Sequence, residues 1–593
     1  MVSAPHYSLL ASSADNVSES PTIRAKQKEE SPSDSANSSR HSSFSSSNGR
    51  DSSEEPISQQ NILARLFQLP EWIVAAGLAL LYLIFLRRDN TIWDAQSFLL
   101  HLIGLPIFLL CSLSIWRWLR FELRSFIDPL ALPPGPMTLP ILGSLATINA
   151  SEPQKSVLKW KAKFGPIFTI ALPVPTVVIC GYDELRSAST KSETAARPTS
   201  YLYTMFLHNK EEGNGMILSS GSTWKKAKSF ANSHFNTYGV NDDRIIRRVE
   251  EYSEVMVELI EKEMEMKGSV LNLHRILSYT VASIIVQIVL GRSYKIGDEK
   301  MEYLKNLLDQ VLANEFFRKE LELNRVKLES NNNNEETDED KIDLDNIMAK
   351  HINRPTELVN GDMDSIVLAG DIWTGGMETT LTATRWAIIF FMANPEIQET
   401  LHREIVARYP RRSNGKFDWT SRREELPYLC ATLDEILRLA NVLPWNIPHR
   451  ALRTFTLNDK VIKEGTNLMF SFSSIHHDEE LFPDPYKFNP ERFLRRVPTR
   501  EETVQWTIQG RDVNDFVKYE KSEHVCPFGM GLRRCPGEQL AMKELFVFVI
   551  VLVQRFRFGQ DVSHPPNTTR PMGMTSVPKD YVCRIEKRSD WYD

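Results

Sequence analysis

Phe528-Gly529-Met530-Gly531-Leu532-Arg533-Arg534-Cys535-Pro536-Gly537 is a glycine-rich loop carrying one thiol and two adjacent arginines, with the apolar stretch 540–553 directly behind it. Glycine adopts backbone conformations closed to other residues and lets main-chain amides approach a neighbouring atom. Amides aimed at a sulfur favour the thiolate over the thiol. A helix starting after Gly537 adds the positive end of its dipole, and Arg533 adds a full charge. The loop therefore reads as a deprotonated, soft ligand in a dry pocket, suited to iron held in a haem. Taken alone it is equally compatible with a buried structural cysteine, the commoner fate of a free thiol.

The neighbouring segments decide between these readings. Gly375-Gly376-Met377-Glu378-Thr379-Thr380 sits inside a long helical pattern over 365–392. Each glycine there costs about 1 kcal/mol relative to alanine, so the pair needs a reason. A kink that opens room beside a ligand is one. Thr379 and Glu378 then place a hydroxyl and a carboxyl side by side, a pair able to relay protons. Glu435 and Arg438 stand at i and i+3 of a further helical stretch and share a face.

Other amphipathic stretches run over 244–267, 271–290, 301–330 and 395–409, against short strand-like pieces at 167–172, 176–180 and 468–471. The expected class is mainly α with a minor β-sheet. Asn331 to Asn334 and the acidic run after them read as a solvated insertion. Six cysteines without a CxxC pair argue against a disulfide framework and a zinc site, and a net charge of -6 argues against a nucleic-acid binder.

Before this domain, two apolar runs at 72–86 and 98–116 are each followed by arginines, Arg87-Arg88 and Arg117, Arg120 and Arg124. A bilayer span needs about 20 apolar residues. One or two transmembrane helices, over about 70–88 and 97–118, are expected, with the basic flank keeping the downstream chain in the cytoplasm. The stiff connector Pro133-Pro134-Gly135-Pro136 comes next. The expected organisation is a disordered Ser-rich extension at 1–66, a membrane anchor at 67–125 and a catalytic domain at 126–593.

The Cys535 loop resembles the haem-binding signature F-x-x-G-x-R-x-C-x-G of the cytochrome P-450 family at Phe528, Gly531, Arg533, Cys535 and Gly537. Gly375 to Thr380 is similar to that family's oxygen-activation segment. Glu435 and Arg438 match its E-x-x-R helix, and Arg492 completes the cluster, which is read as structural. The resemblance covers 133–587 and implies the cytochrome P-450 fold, preceded by the transmembrane segment or segments. It implies haem b (iron protoporphyrin IX) with Cys535 as the iron ligand and Thr379 and Glu378 in dioxygen activation. Phe528, Gly537, Trp224, Lys228, His449 and Arg533 become cofactor contacts. The family pattern W-x-x-x-R carries lysine here at Lys228, a point charge in place of a fork.

By the same resemblance the chain is a haem-thiolate monooxygenase of the animal microsomal type. It inserts one oxygen atom from O2 into a steroid-, sterol- or fatty-acid-like molecule, and the resemblance extends to nematode steroid-hormone-synthesising members. Electrons come from NADPH through NADPH–cytochrome P-450 reductase, with cytochrome b5 as an additional partner. The implied location is the endoplasmic reticulum membrane with the catalytic domain facing the cytoplasm. Lys225, Lys226, Arg534 and Lys543 are expected on the face that meets the electron donor. Two rival readings stand beside this one: a haem-thiolate isomerase or dehydratase, and a non-catalytic membrane haem- or sterol-binding protein.

Overall fold

The computed structural model describes residues 71–88, 95–123, 132–199, 213–235, 243–290, a few positions in 294–304, 362–410, 417–496, 517–568 and 574–592, apart from isolated positions within these stretches. The Ser-rich extension, nearly all of the helix expected at 301–330 and the Asn-rich insertion lie outside the described residues.

Two apolar helices come first, α1 (Glu71–Arg88) and α2 (Ala95–Glu122). Glu122 at the end of α2 accepts from the Thr138 amide at 2.8 Å and from its hydroxyl, and Trp118 Nε1 donates to the Thr138 carbonyl at 2.8 Å. These bonds clamp the end of the proline connector to α2.

The domain beyond continues with α3 (Pro153–Phe164), β1 (Ile167–Leu172), β2 (Val174–Ile179) and α4 (Tyr182–Thr190). Next are α5 (Gly221–Phe235), α6 (Asp243–Lys267), β3 (Val270–Leu271), α7 (His274–Leu290) and α8 (Asp362–Ala393). Then come α9 (Pro395–Arg408), α10 (Pro427–Ala440), β4 (His449–Arg450), β5 (Phe455–Leu457), β6 (Lys460–Ile462) and β7 (Asn467–Phe470). The chain closes with β8 (Leu494–Arg496), β9 (Val517–Tyr519), α11 (Glu538–Arg555), β10 (Phe556–Gly559) and β11 (Cys583–Lys587).

The expected mainly helical class with small sheets is what forms. The largest sheet runs β1-β2-β7-β4, with β2 and β7 parallel and the other neighbours antiparallel. A second sheet runs β10-β11-β3, with both pairings antiparallel. Helices α7, α8 and α11 are apolar nearly all round because they form the centre. Trp386, Phe391, Phe546 and Phe548 are fully buried there.

Glu404 on α9 accepts from the Tyr428 and Leu429 amides, both at 2.8 Å, in the first turn of α10. A carboxylate suits a helix N-terminus, yet burial outweighs the two amides and pushes Glu404 up from 4.5 to about 7. Between those values the folded chain holds a proton that the unfolded chain has released. Stability therefore falls as pH rises through that window. Glu404→Gln should flatten this slope, as read from urea midpoints between about pH 5 and pH 7.5. Equal slopes in both proteins would remove Glu404 as the cause.

Candidate functional site

The Cys535 loop is closed by its own main chain: the Cys535 amide donates to the Phe528 carbonyl at 2.9 Å, and the Phe528 ring packs on the central core. Gly531 holds φ +64°, and a Cβ there would stand 2.1 Å from the Ser189 carbonyl oxygen. Only glycine lets the loop touch α4 so closely. Gly537 caps α11, and its amide points at the Cys535 sulfur.

Cys535 keeps accessible surface, although protein atoms crowd the sulfur closely enough to govern its acidity. Burial pushes the thiol up to about 11, against the opposing pull of the Gly537 amide, Lys228 and Arg534. Burial thus works against a preformed thiolate, and the Gly537 amide, Lys228 and Arg534 work for it. A bound cation deprotonates a coordinating thiol outright.

Arg533 anchors the loop. Its guanidinium donates to the carbonyls of Ala195 at 2.8 Å, Met216 at 3.2 Å and Ser219 at 2.6 Å, and lies 4.0 Å over the Trp224 ring. Arg197 donates to the carbonyls of Ile217 at 2.9 Å and of Ile447 and Pro448, each at 3.0 Å. Burial, with Arg197 alongside, pulls Arg533 down to about 8. Among the described residues no carboxylate pairs with Arg533. Lys228 on α5 reaches the Leu532 carbonyl and lies 5.4 Å over the same indole.

His449 is buried, not a loop residue at the surface. Its Nδ1 lies 2.7 Å from the Thr194 carbonyl, its ring stacks on Phe470, and its Nε2 has no hydrogen-bond partner. Burial and the two arginines hold it neutral, well below the usual histidine range. Two mutually repelling guanidiniums, a lysine and an orphaned imidazole nitrogen form a cradle for a group with clustered negative charge. The two propionates of a haem have that chemistry, and Cys535 and Trp224 in the same assembly suit the rest of the macrocycle.

Helix α8 continues through Gly375 and Gly376 without a break. A Cβ on Gly376 would come within 2.6 Å of Ile285 Cδ1, so this glycine serves the close approach of α7. The Thr379 hydroxyl donates to the Gly375 carbonyl at 2.5 Å, a back-bond that loosens the helix locally. Glu378 is half-buried, and desolvation raises it above the ordinary carboxyl range, with Arg385 opposing.

Earlier on the same helix, buried Asp371 accepts from the Ile217 amide at 3.0 Å and the Met216 amide at 2.5 Å. Segment 215–219 is thus tied to α8 through Asp371, to the Cys535 loop through Arg533, and to Arg197. Sequence reading missed both Asp371 and Arg197. A lone acid in the apolar run 366–373 and an arginine fixed by the following Pro198 were the available signals. Asp371→Ala should cost about 1.5–3 kcal/mol in denaturant unfolding, with Asp371→Asn recovering part of the loss. No change in midpoint would mean that segment 215–219 is held by other contacts.

Among the residues expected to meet an electron donor, Lys225 and Lys226 are exposed. Lys543 is not, at 1% exposure, because it falls on the core side of α11. Arg534 is at the surface but is held by Glu538 through two bonds of 2.6 Å.

The family model described as Cytochrome P-450 matches residues 133–357 and 313–584. The chain belongs to the cytochrome P-450 family. Similar curated proteins include "3-ketosteroid oxygenase" of Caenorhabditis elegans, 28% identical over 503 residues, covering 78% of this chain and 81% of the relative. Cytochrome P-450 2J3 of Rattus norvegicus is 27% identical over 493 residues, with 77% and 92% covered. Cytochrome P-450 2C5 of Oryctolagus cuniculus is 26% identical over 514 residues, with 80% and 98% covered. The protein is thus a cytochrome P-450 monooxygenase of animal microsomal type, and its cofactor is haem.

Proposed function

We propose that this cytochrome P-450 oxygenates a steroid-, sterol- or fatty-acid-like molecule, with electrons from NADPH passed on by a reductase. The observation that carries the site is the cradle of Arg197, Arg533, His449 and Lys228 around Trp224, joined to the Cys535 loop. The name of the Caenorhabditis elegans relative supports a steroid as the first class to test.

Cys535 is the iron ligand, and Phe528 and Gly537 set its loop. Lys228, His449 and Arg533, together with Arg197, hold the propionates, and Trp224 supports the two cations above its ring. Haem, when bound, supplies the redox chemistry that places one atom of O2 in the substrate and releases the other as water. Glu378 keeps a proton closer to neutral pH than an exposed carboxyl does and passes it inward. Thr379 directs its own proton to Gly375, leaving its oxygen to accept from the next donor in line.

The electron donor meets the side of Lys225 and Lys226. A cavity of about 580 Å³ beside the loop has Arg422, Arg423 and Lys521 in its wall together with Asp434, Glu523 and Glu538. Residues 67–125 anchor the catalytic domain, 126–593, to the endoplasmic reticulum membrane, with that domain in the cytoplasm.

Full-length protein reconstituted with a reductase should convert 3-ketosteroids or fatty acids to singly oxygenated products only when NADPH is present. Failure with both classes would sink the substrate reading. Turnover of organic peroxides without NADPH would favour the rearranging rival. Thr379→Ala should lower product formed per NADPH consumed by about tenfold while NADPH is still oxidised. Undiminished coupling would remove Thr379 from the relay.

A further inference from the structure

Helices α1 and α2 pack against each other in opposite directions. At one end Glu71 accepts two bonds from Arg117, Nε at 2.9 Å and Nη2 at 2.5 Å. Further along, the Tyr82 and Phe108 rings stand 5.1 Å apart, and a Cβ on Gly104 would lie 3.1 Å from the Tyr82 hydroxyl. Small residues at such crossings let apolar helices approach in lipid. The remaining surface is hydrocarbon: Leu80, Leu81 and Ile84 on α1 are 59%, 62% and 57% exposed, and Ile107 and Leu110 on α2 are 55% and 66% exposed.

Among the described residues, Gly104–Glu122 is the stretch long and apolar enough to cross a bilayer. Because 71–82 lie alongside 104–117, α1 shares the depth of α2. It cannot rest on the surface while α2 spans. Continuing the register brings the end of α1, 87–88, level with 100–101 of α2, at the far membrane face. The apolar run of α1, 15 residues over 72–86, is shorter than a full span, a mismatch that local thinning of the bilayer absorbs.

We infer that α1 and α2 cross the membrane together as a hairpin, so residues 1–70 lie on the same side as the catalytic domain. The inference rests on the membrane anchoring proposed above. A single span would place residues 1–70 on the opposite, lumenal side. The chain carries its own reporters there: Asn16-Val17-Ser18 and Asn37-Ser38-Ser39 are both N-glycosylation acceptor sequences.

The full chain, expressed in cells and isolated with microsomes, should resist alkaline extraction and show no mobility shift on glycosidase treatment. A flexible insert bearing an acceptor asparagine between Arg88 and Ala95 should gain a glycan. A protease added to sealed microsomes should remove an epitope placed at the N-terminus. A glycan at Asn16 or Asn37, or a protected N-terminal epitope, would overturn the hairpin. Release of the chain by alkaline extraction would instead overturn the anchoring on which it rests.

Discussion

Glu435→Ala should lower the stability of the protein by about 3–5 kcal/mol, the usual cost of deleting one partner of a buried ion pair. Glu435 and Arg438 are both fully buried on α10. The carboxylate receives Arg438 Nε at 2.7 Å and Nη2 at 2.9 Å, Arg492 Nε at 3.1 Å, and the Asn489 amide at 2.9 Å. Arg438 also donates to the carbonyls of His476 and Pro485, and Arg492 to that of Pro483 at 3.0 Å. One carboxylate thus bridges two guanidiniums that tie the loop over 476–492 to α10.

Alanine leaves the fully buried Arg438, and the partly buried Arg492, without their counter-charge. Water cannot replace it at Arg438, which has no accessible surface. Urea unfolding of haem-loaded protein reads the loss directly, and Arg438→Ala should cost a similar amount. The double variant should cost clearly less than the sum, because each single change already breaks the shared pair. A Glu435→Ala protein within about 1 kcal/mol of the parent would show that the network adds little beyond the packing around it.

The parts of this molecule that were legible in advance are those fixed by local chemistry. The Cys535 loop announced itself through glycines that a crowded turn requires, and Gly531 against Ser189 shows the crowding. Glu435 and Arg438 were readable because i and i+3 on a helix must share a face. Arg492 was reached through family resemblance, and the structure brings its Nε within 3.1 Å of Glu435.

What escaped depends on which parts of the chain meet. Arg197 and Asp371 stand far apart in sequence, yet both hold the 215–219 segment. No spacing rule links them. Lys543 failed for a related reason: α11 is buried on nearly every side, so sequence offers no polar face on which to place it. Gly376 was noticed, but its purpose, contact with Ile285 on another helix, is a property of packing and not of the helix itself.

Cys535→Ser should abolish monooxygenase turnover, reducing it to the background of unbound haem. The chain has six cysteines, and the structure separates this one from its neighbour nine positions earlier. Cys526 is buried, its amide donates to His476 Nε2 at 3.1 Å, and burial pushes its thiol up to about 12. Cys535 has accessible surface, an amide aimed at its sulfur, and Lys228 and Arg534 nearby. Those groups oppose the burial that raises the thiol, and under the proposed ligation bound iron would complete its ionisation.

A serine hydroxyl is far harder to ionise and is a hard donor where iron in this family takes a soft one. It cannot supply the electron density through which a thiolate favours cleavage of the oxygen–oxygen bond. The reduced, CO-bound spectrum separates ligand loss from misfolding. Cys535→Ser should lose the long-wavelength band of thiolate-bound haem while its far-ultraviolet dichroism stays that of a folded helical protein. Cys526→Ala should keep the band. If Cys535→Ser kept it and Cys526→Ala lost it, the ligand would be the wrong cysteine, and the cradle of Arg197, Arg533 and His449 would have to serve a different anion.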